Sequence, residues 1–377
     1  MPELIIHIGT PKTGSSSLQR ALHDGAFSTQ GVRVAYPNRL TEVALARALR
    51  EGHEGDAARR LRYLRRWLAD ADAEVSVLSS ELFVAVPAGT FAAAVQRHLP
   101  GWAERTRVVC YLRPHGSRLV SAYAQQRKSG AFMGSLDHFV QAAAQGQRFQ
   151  YADRMAAWHA AYDARFVARL ASPTALLGGD VVADFLQLAS PGATVAAPTE
   201  RLNTALTVES LALLGIVHRA LRAGEVPEPV AQRIGKRIAA DLSAAGTAER
   251  GHRLSLSAAE AATVAATFAQ DAARLDATLF PGSGPFTEDL HRLVEEAPAA
   301  ALGLQARQYA DPGTRRAIRR EANALAVACT EHGRAWVAQF RAAKGYGCRT
   351  QALDPESAAQ VELALGRVVA AMVVALS

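Results

Sequence analysis

Residues 4–22, LIIHIGTPKTGSSSLQRAL, decide how the rest of this chain is read. Leu4, Ile5, Ile6 and Ile8 form a short apolar run that stops at Gly9, and Leu18, Ala21 and Leu22 then recur at helical spacing. The segment reads as a buried strand, a glycine loop and a helix. A loop of this kind turns backbone N–H groups and a helix N-terminus toward an anion. In the familiar nucleotide-binding version, G-x-x-x-x-G-K-[ST], a lysine follows the second glycine. Here Gly9 and Gly14 keep the spacing, but Ser15 follows and the lysine lies inside the loop, at Lys12. The place of that lysine raises the question of which phosphate ligand the loop takes.

Outward from this segment, VSVLSS (75–80), RVVCYL (107–112) and RFVARL (165–170) are further strand candidates, short and rich in β-branched residues. Between them lie helical patterns. In 56–70, Ala57, Leu61, Leu64 and Leu68 share one face and leave Arg59, Arg62 and Arg66 outward, which predicts a solvated basic face. Asp180 is placed to cap a helix over 180–189. Strands alternating with helices predict parallel pairing, hence an α/β fold with a P-loop-type parallel sheet flanked by helices. From about residue 205 only helical patterns follow. The expected organisation is a domain over 1–290, strand-rich to about 190 and helical over 200–290, with a helical C-terminal extension over 296–377. The apolar last helix reads as buried core, and the C-terminal helices are a candidate surface for homo-oligomer formation.

With 377 residues, 49% hydrophobic and 20% charged, the chain has the composition of an ordinary globular protein. No apolar run approaches the roughly 18 residues of a membrane span, and the start lacks a secretion-signal pattern, so the expectation is a cytoplasmic protein without a membrane span. Cys110, Cys329 and Cys348 include no C-x-x-C pair, which argues against a zinc site or a disulfide framework. The net charge of +7 is spread along the chain without a basic tract, so a small polyanion accounts for it and no nucleic-acid partner is expected.

Ligands of open α/β sheets bind at the carboxyl ends of the strands. Those ends carry Lys12, then Ser79, Ser80 and Glu81, then RPHGSRLVSAY with Arg113, Arg118, Ser121 and Tyr123. The residues PKTGSS, with the arginine and the serine eight positions apart, resemble the sulfotransferases that use 3′-phosphoadenosine 5′-phosphosulfate (PAPS). NTAL (203–206) followed by ESLALL is similar to a later segment of bacterial members. One departure is that Pro114 directly follows Arg113 instead of coming second.

The resemblance implies that Pro11, Lys12, Thr13, Gly14, Ser15, Ser16 and Ser17 hold the 5′-phosphosulfate, through N–H and hydroxyl donors, and that Arg113 and Ser121 hold the 3′-phosphate. It implies PAPS as donor and 3′-phosphoadenosine 5′-phosphate (PAP) as product. The acceptor is a hydroxyl or amine of a small molecule or saccharide, and no metal is called for. Lys12 is the expected stabiliser of the leaving phosphate oxygen, and Glu81 the expected base, with His115 its main rival. His7 reads as a core histidine, and Arg127 and Lys128 as a solvated helix end. The family's late basic loop has no counterpart assigned here, since Arg341, Lys344 and Gly345 within 340–347 lie in a helical context, and Arg201 beside Asn203 is the candidate to close the site. Two other readings stay open: a kinase or NTPase of the P-loop type, disfavoured by Ser15 in the lysine position, and a non-catalytic scaffold, which would not need Lys12, Arg113, Ser121 and Glu81 together.

Overall fold

The structure, a computed structural model, describes residues 2–29, 31–195, 205–247, 250–343 and 354–377. In chain order its elements begin β1 (Glu3–His7), α1 (Ser15–Asp24), β2 (Phe27–Ser28), β3 (Val34–Ala35), α2 (Val43–Glu51), α3 (Glu54–Asp70) and β4 (Val75–Ser79). They continue with α4 (Ala88–His98), α5 (Pro100–Ala103), β5 (Thr106–Leu112), α6 (His115–Ser129), α7 (Leu136–Ala144), α8 (Ala152–Tyr162), β6 (Phe166–Leu170), α9 (Val181–Ala189) and β7 (Thr194–Val195). Helices α10 (Val208–Ala223), α11 (Glu228–Ala244), α12 (Ala258–Leu279), α13 (Pro285–Glu296), α14 (Pro312–Ala343) and α15 (Pro355–Leu376) complete it.

Five strands form one parallel sheet in the order β3-β4-β1-β5-β6. The fold is therefore α/β, with a parallel sheet flanked by helices and a helical C-terminal region. The unbroken apolar runs follow from the architecture, because a parallel sheet is covered on both faces. Leu4, Ile5, Ile6, Val108, Val109 and Cys110 are all buried. On one face Ile5, Val77 and Val109 meet Leu18 and Leu22 of α1 and Val182, Phe185 and Leu186 of α9. Asp180 caps α9 as its spacing predicts, accepting from the Val182 and Ala183 N–H groups. In α3 the buried residues are Ala57, Leu61, Leu64 and Leu68, with Arg59, Arg62 and Arg66 exposed. Hydrophobic runs did not announce β2, β3 and β7, which are two residues each and make few ladder bonds.

The chain divides into two compact units that are discontinuous in sequence. The first contains residues 1–118, 146–202 and 264–295, and therefore the whole sheet; the second contains 119–145, 203–263 and 296–377. The last passage between units falls between residues 295 and 296, and 119–145 and 203–263 also belong to the second.

Within the second unit, α10 is buried around most of its circumference and shares a core with α11, α14 and α15 that includes Leu214, Ile238, Leu325, Trp336, Leu365 and Val368. In α15 no uninterrupted apolar run reaches the length of a membrane span, because Glu362 and Arg367 interrupt it. Its 22 residues together are long and apolar enough to cross a membrane by length and composition. One face, with Val361, Leu365, Val368 and Met372, is buried, and Glu362 accepts from Trp336 Nε1 (2.7 Å) and Arg237 (3.2 Å). Leu363 and Val374 on the other face are exposed. His218 of α10 is buried against the bare faces of Gly130 and Gly235, with Nε2 3.1 Å from the Lys128 carbonyl. Arg127 is not the solvated helix end its position suggests: it is buried and donates to the Met133 carbonyl (2.8 Å), because the chain after α6 folds back over it.

Burial lowers the pKa of His7, and of His218, to about 4. Both rings are neutral in the fold near neutral pH, whereas an unfolded histidine titrates near 6.5. Unfolding therefore takes up protons between about pH 6.5 and 4, and stability is full above that window and falls as pH drops through it. Urea denaturation should show a loss of about 2–3 kcal/mol per pH unit near pH 5 from the two groups together. Equal stability at pH 7 and pH 5 would contradict neutral burial of these rings.

Candidate functional site

The strands that carry Lys12, Glu81 and Arg113 are sheet neighbours: β1 lies between β4 and β5. After β1 the chain runs toward β3, and after β4 it crosses to β5, so strand order reverses beside β1. That is where open α/β sheets form a ligand crevice. Backbone bonds fasten the three strand ends together. Ile8 N–H donates to the Val109 carbonyl (2.9 Å), Ser80 N–H to the His7 carbonyl (3.1 Å) and Val84 N–H to the Ile8 carbonyl (3.2 Å).

Between Gly9 and Ser17 the backbone is held in conformations that few sequences permit. Gly9, Lys12 and Gly14 have φ of +25°, +72° and +86°. Lys12 is exposed and occupies the left-handed region without being glycine, a strained state that clusters at ligand-binding loops. Gly14 has a second constraint, since a Cβ there would stand 2.5 Å from Val181 Cγ1. As N-cap of α1 it offers no side chain to the helix, and the first turn carries no acid. Neither the N-cap nor the first turn of α1 thus supplies an anion to its positive end, which leaves it suited to an external one.

The loop hydroxyls divide in a way the sequence does not show. Thr10 Oγ1 donates to the Tyr111 carbonyl (2.8 Å), which pins the loop to β5, and Thr13 Oγ1 donates to the Thr10 carbonyl (2.7 Å), which braces the loop internally. The expected role of Thr13 as a hydroxyl donor is corrected: its hydroxyl is used internally, and only its backbone N–H is left for a ligand. Ser15 is buried, with an Oγ that has no partner, while Ser16 is exposed and Ser17 half-buried. Pro11 is exposed at the turn.

Glu81 follows β4 between the two backbone bonds from Ser80 and Val84 to the end of β1. It is half-buried and has no hydrogen-bond or ion-pair partner among the described residues. Arg113 leaves β5 half-buried, with its carbonyl accepting from Tyr151 Oη (2.9 Å). Burial holds its guanidinium below the usual arginine range, and no carboxylate among the described residues compensates it. Such a desolvated cation gains from an anion. Ser121 stands two turns along α6, half-buried, on the part of that helix belonging to the second unit.

Two neighbours of Arg113 have structural duties. Arg118 is buried over the Tyr151 ring (4.2 Å to the centroid) and donates to the Phe149 and Arg148 carbonyls (2.8 and 3.1 Å). His115, the rival base, is buried and stacked on Phe268 at 4.8 Å, with Nε2 2.8 Å from Asp271 Oδ2. Asp271 also accepts from the N–H groups of Tyr151 and Ala152, so it caps α8. Although burial raises its pKa, the His115 bond and these N–H donors hold the Asp271 carboxyl below its ordinary value. Arg201, Asn203 and Lys344 to Gly347 lie outside the described residues, as does Cys348.

The residue that sequence reasoning undervalued is His7. Its Nδ1 lies 2.8 Å from Ser79 Oγ, which also accepts from Gln19 Nε2 (3.0 Å), and its Nε2 is buried without a partner. A polar residue inside the apolar β1 run was the available signal. Among the described residues there is no group of three or more His, Cys, Asp or Glu side chains able to hold a metal ion. Comparison of the chain with protein-family models, curated proteins and solved structures gives no match in any of the three.

Gly14→Ala is expected to destabilise the fold by about 1–3 kcal/mol in urea denaturation, from the left-handed backbone and the Val181 contact together. Adding Val181→Ala should return only part of that loss, because it removes the clash and leaves the backbone strain. Full recovery would show that φ at Gly14 is not a constraint.

Proposed function

We propose that this protein is a PAPS-dependent sulfotransferase, which moves a sulfuryl group to a hydroxyl or amine of a small-molecule or saccharide acceptor. The observation that carries the reading is the Lys12-bearing loop at the end of β1 flanked by the ends of β4 and β5, with a carboxylate on one side and an uncompensated arginine on the other. A magnesium triphosphate would favour a lysine after Gly14. A phosphosulfate needs instead a cation at the oxygen that bridges sulfur and phosphorus, and a lysine within the loop suits that.

In this reading, the first-turn N–H groups of α1 and the Ser16 hydroxyl bind the 5′-phosphate. Arg113 binds the 3′-phosphate with its planar donor fork, and the resemblance assigns Ser121 to the same group. Glu81 takes the proton of the acceptor hydroxyl as its oxygen bonds to sulfur. The sulfur–oxygen bond to the phosphate breaks in line, and Lys12 stabilises the charge left on the phosphate oxygen. Positioning and electrostatics supply the rate, as they do in phosphoryl transfer.

Calorimetry with PAP, ATP and AMP tests the donor. PAP should bind without added magnesium and raise the melting temperature, because a ligand of the native state alone stabilises it. Tight ATP binding with no response to PAP would reject the reading.

With an acceptor in hand, Lys12→Ala should lower kcat by a factor on the order of 10²–10³ with a smaller loss of PAP affinity. Glu81→Gln should lower the rate by roughly 10²–10⁴ with donor binding within a few-fold of wild type. Unchanged turnover in either variant would remove that residue from the mechanism.

A further inference from the structure

His7 ends β1 fully buried, its ring between Tyr111 and Phe185 at 5.9 Å from each. Packing alone at such a place is satisfied by a phenylalanine or leucine. A histidine there brings two ring nitrogens that must each be accommodated, since a buried polar atom without a partner is costly.

One nitrogen is accounted for by Ser79. Its Oγ accepts from Gln19 Nε2 (3.0 Å) and lies 2.8 Å from His7 Nδ1. With one lone pair occupied by the amide, the hydroxyl has its own hydrogen to give, and Nδ1 can accept it. A neutral imidazole that accepts at Nδ1 carries its hydrogen on Nε2. That second nitrogen is unpartnered, and so is Ser15 Oγ, at 4% exposure. The two atoms flank the same point: a Cβ on Gly9 would stand 3.0 Å from His7 Nε2 and 2.7 Å from Ser15 Oγ. Glycine at this position keeps open the space that the two side chains share.

We propose that His7 is a positioning residue of the phosphate loop: when an anion binds at the N-terminus of α1, the His7 Nε2–H and Ser15 Oγ, each without a partner before binding, close on one another, Nε2–H donating to Oγ, which frees the Ser15 hydroxyl hydrogen for an oxygen of the anion. Gln19, Ser79, His7 and Ser15 then form one relay of donors that runs from α1, through the ends of β4 and β1, back to the first turn of α1. Each member hands a hydrogen to the next, and the last hydrogen faces the ligand. The inference rests on the reading of this loop as the 5′-phosphosulfate site.

Nitrogen-15 NMR of the wild-type protein tests it without any substitution. His7 should be the Nε2–H tautomer, with an Nε2 resonance that moves on addition of PAP; an Nδ1–H tautomer overturns the proposal. Calorimetric titration with PAP gives the second test. His7→Asn keeps a partner for Ser79 but does not reach Ser15, and it should raise the PAP Kd about tenfold, the scale of one hydrogen bond to a charged group. Ser15→Ala should do the same, and the double variant should lose no more than either alone, because the two act as one unit. His7→Gln, whose amide nitrogen can take the place of Nε2, should bind within about threefold of wild type. Wild-type affinity in His7→Asn, or losses that multiply to about a hundredfold in the double variant, overturn the proposal. Titration with inorganic pyrophosphate separates this from the donor reading. Wild type that binds pyrophosphate but not PAP rejects PAPS as donor, and the same variants then test the relay with pyrophosphate. Wild type that binds neither rejects both.

Discussion

The enclosure of β1 governs this structure. The strand is paired on both edges and covered on both faces, so the chain can leave it only through a tight turn at Gly9. Every polar group at that exit must then find a partner in the adjoining strand ends or in a ligand, because water is excluded there. The partners come from β4 and β5: Ser79 and Ser80 on one side, the Val109 and Tyr111 carbonyls on the other. A loop pinned from both sides can keep Lys12 in a left-handed conformation, and pre-organisation of that kind is what electrostatic stabilisation of a leaving group requires.

Several of the chain's arginines serve internal architecture. Arg118 stacks on Tyr151, Arg107 pairs with Glu3, and Arg169 pairs with Asp184, which also accepts from Tyr111 Oη (2.7 Å) and ties α9 to the sheet. Arg113 is desolvated as Arg118 is, but among the described residues its guanidinium has neither a carboxylate nor the carbonyl acceptors that Arg118 finds.

Local pattern carried most of the fold. Apolar runs gave the four longer sheet strands, the spacing of Leu61, Leu64 and Leu68 gave the buried face of α3, and Asp180 gave a helix start. Two kinds of fact were beyond it. The two-residue strands exist through pairing with distant partners, as β2 does with β7, and have no periodicity of their own. The duties of individual polar side chains depend on contacts across long separations: Thr13 and Ser15 are alike as loop hydroxyls in sequence, yet one is spent on a carbonyl and the other is left without a partner. His115 looked available to chemistry because its partner, Asp271, is 156 residues away. At α15 a count of uninterrupted apolar residues and a mean over the helix differ, since Glu362 and Arg367 break the run without making the helix polar.

The distant origin of Asp271 has a consequence for synthesis. Strands β1 to β6 are all encoded before residue 171, yet the carboxylate that caps α8 and meets His115 belongs to α12. A nascent chain that has emerged as far as α9 holds the whole sheet with two N–H groups at the start of α8 and a buried histidine still unmatched. The polar pairing of the sheet unit is therefore complete only once the ribosome has passed 203–263, which belong to the other unit, and made α12. Interrupted translation in that interval leaves a sheet with its glycine loop already encoded but its interior polar groups unpaired, a species suited to capture by chaperones.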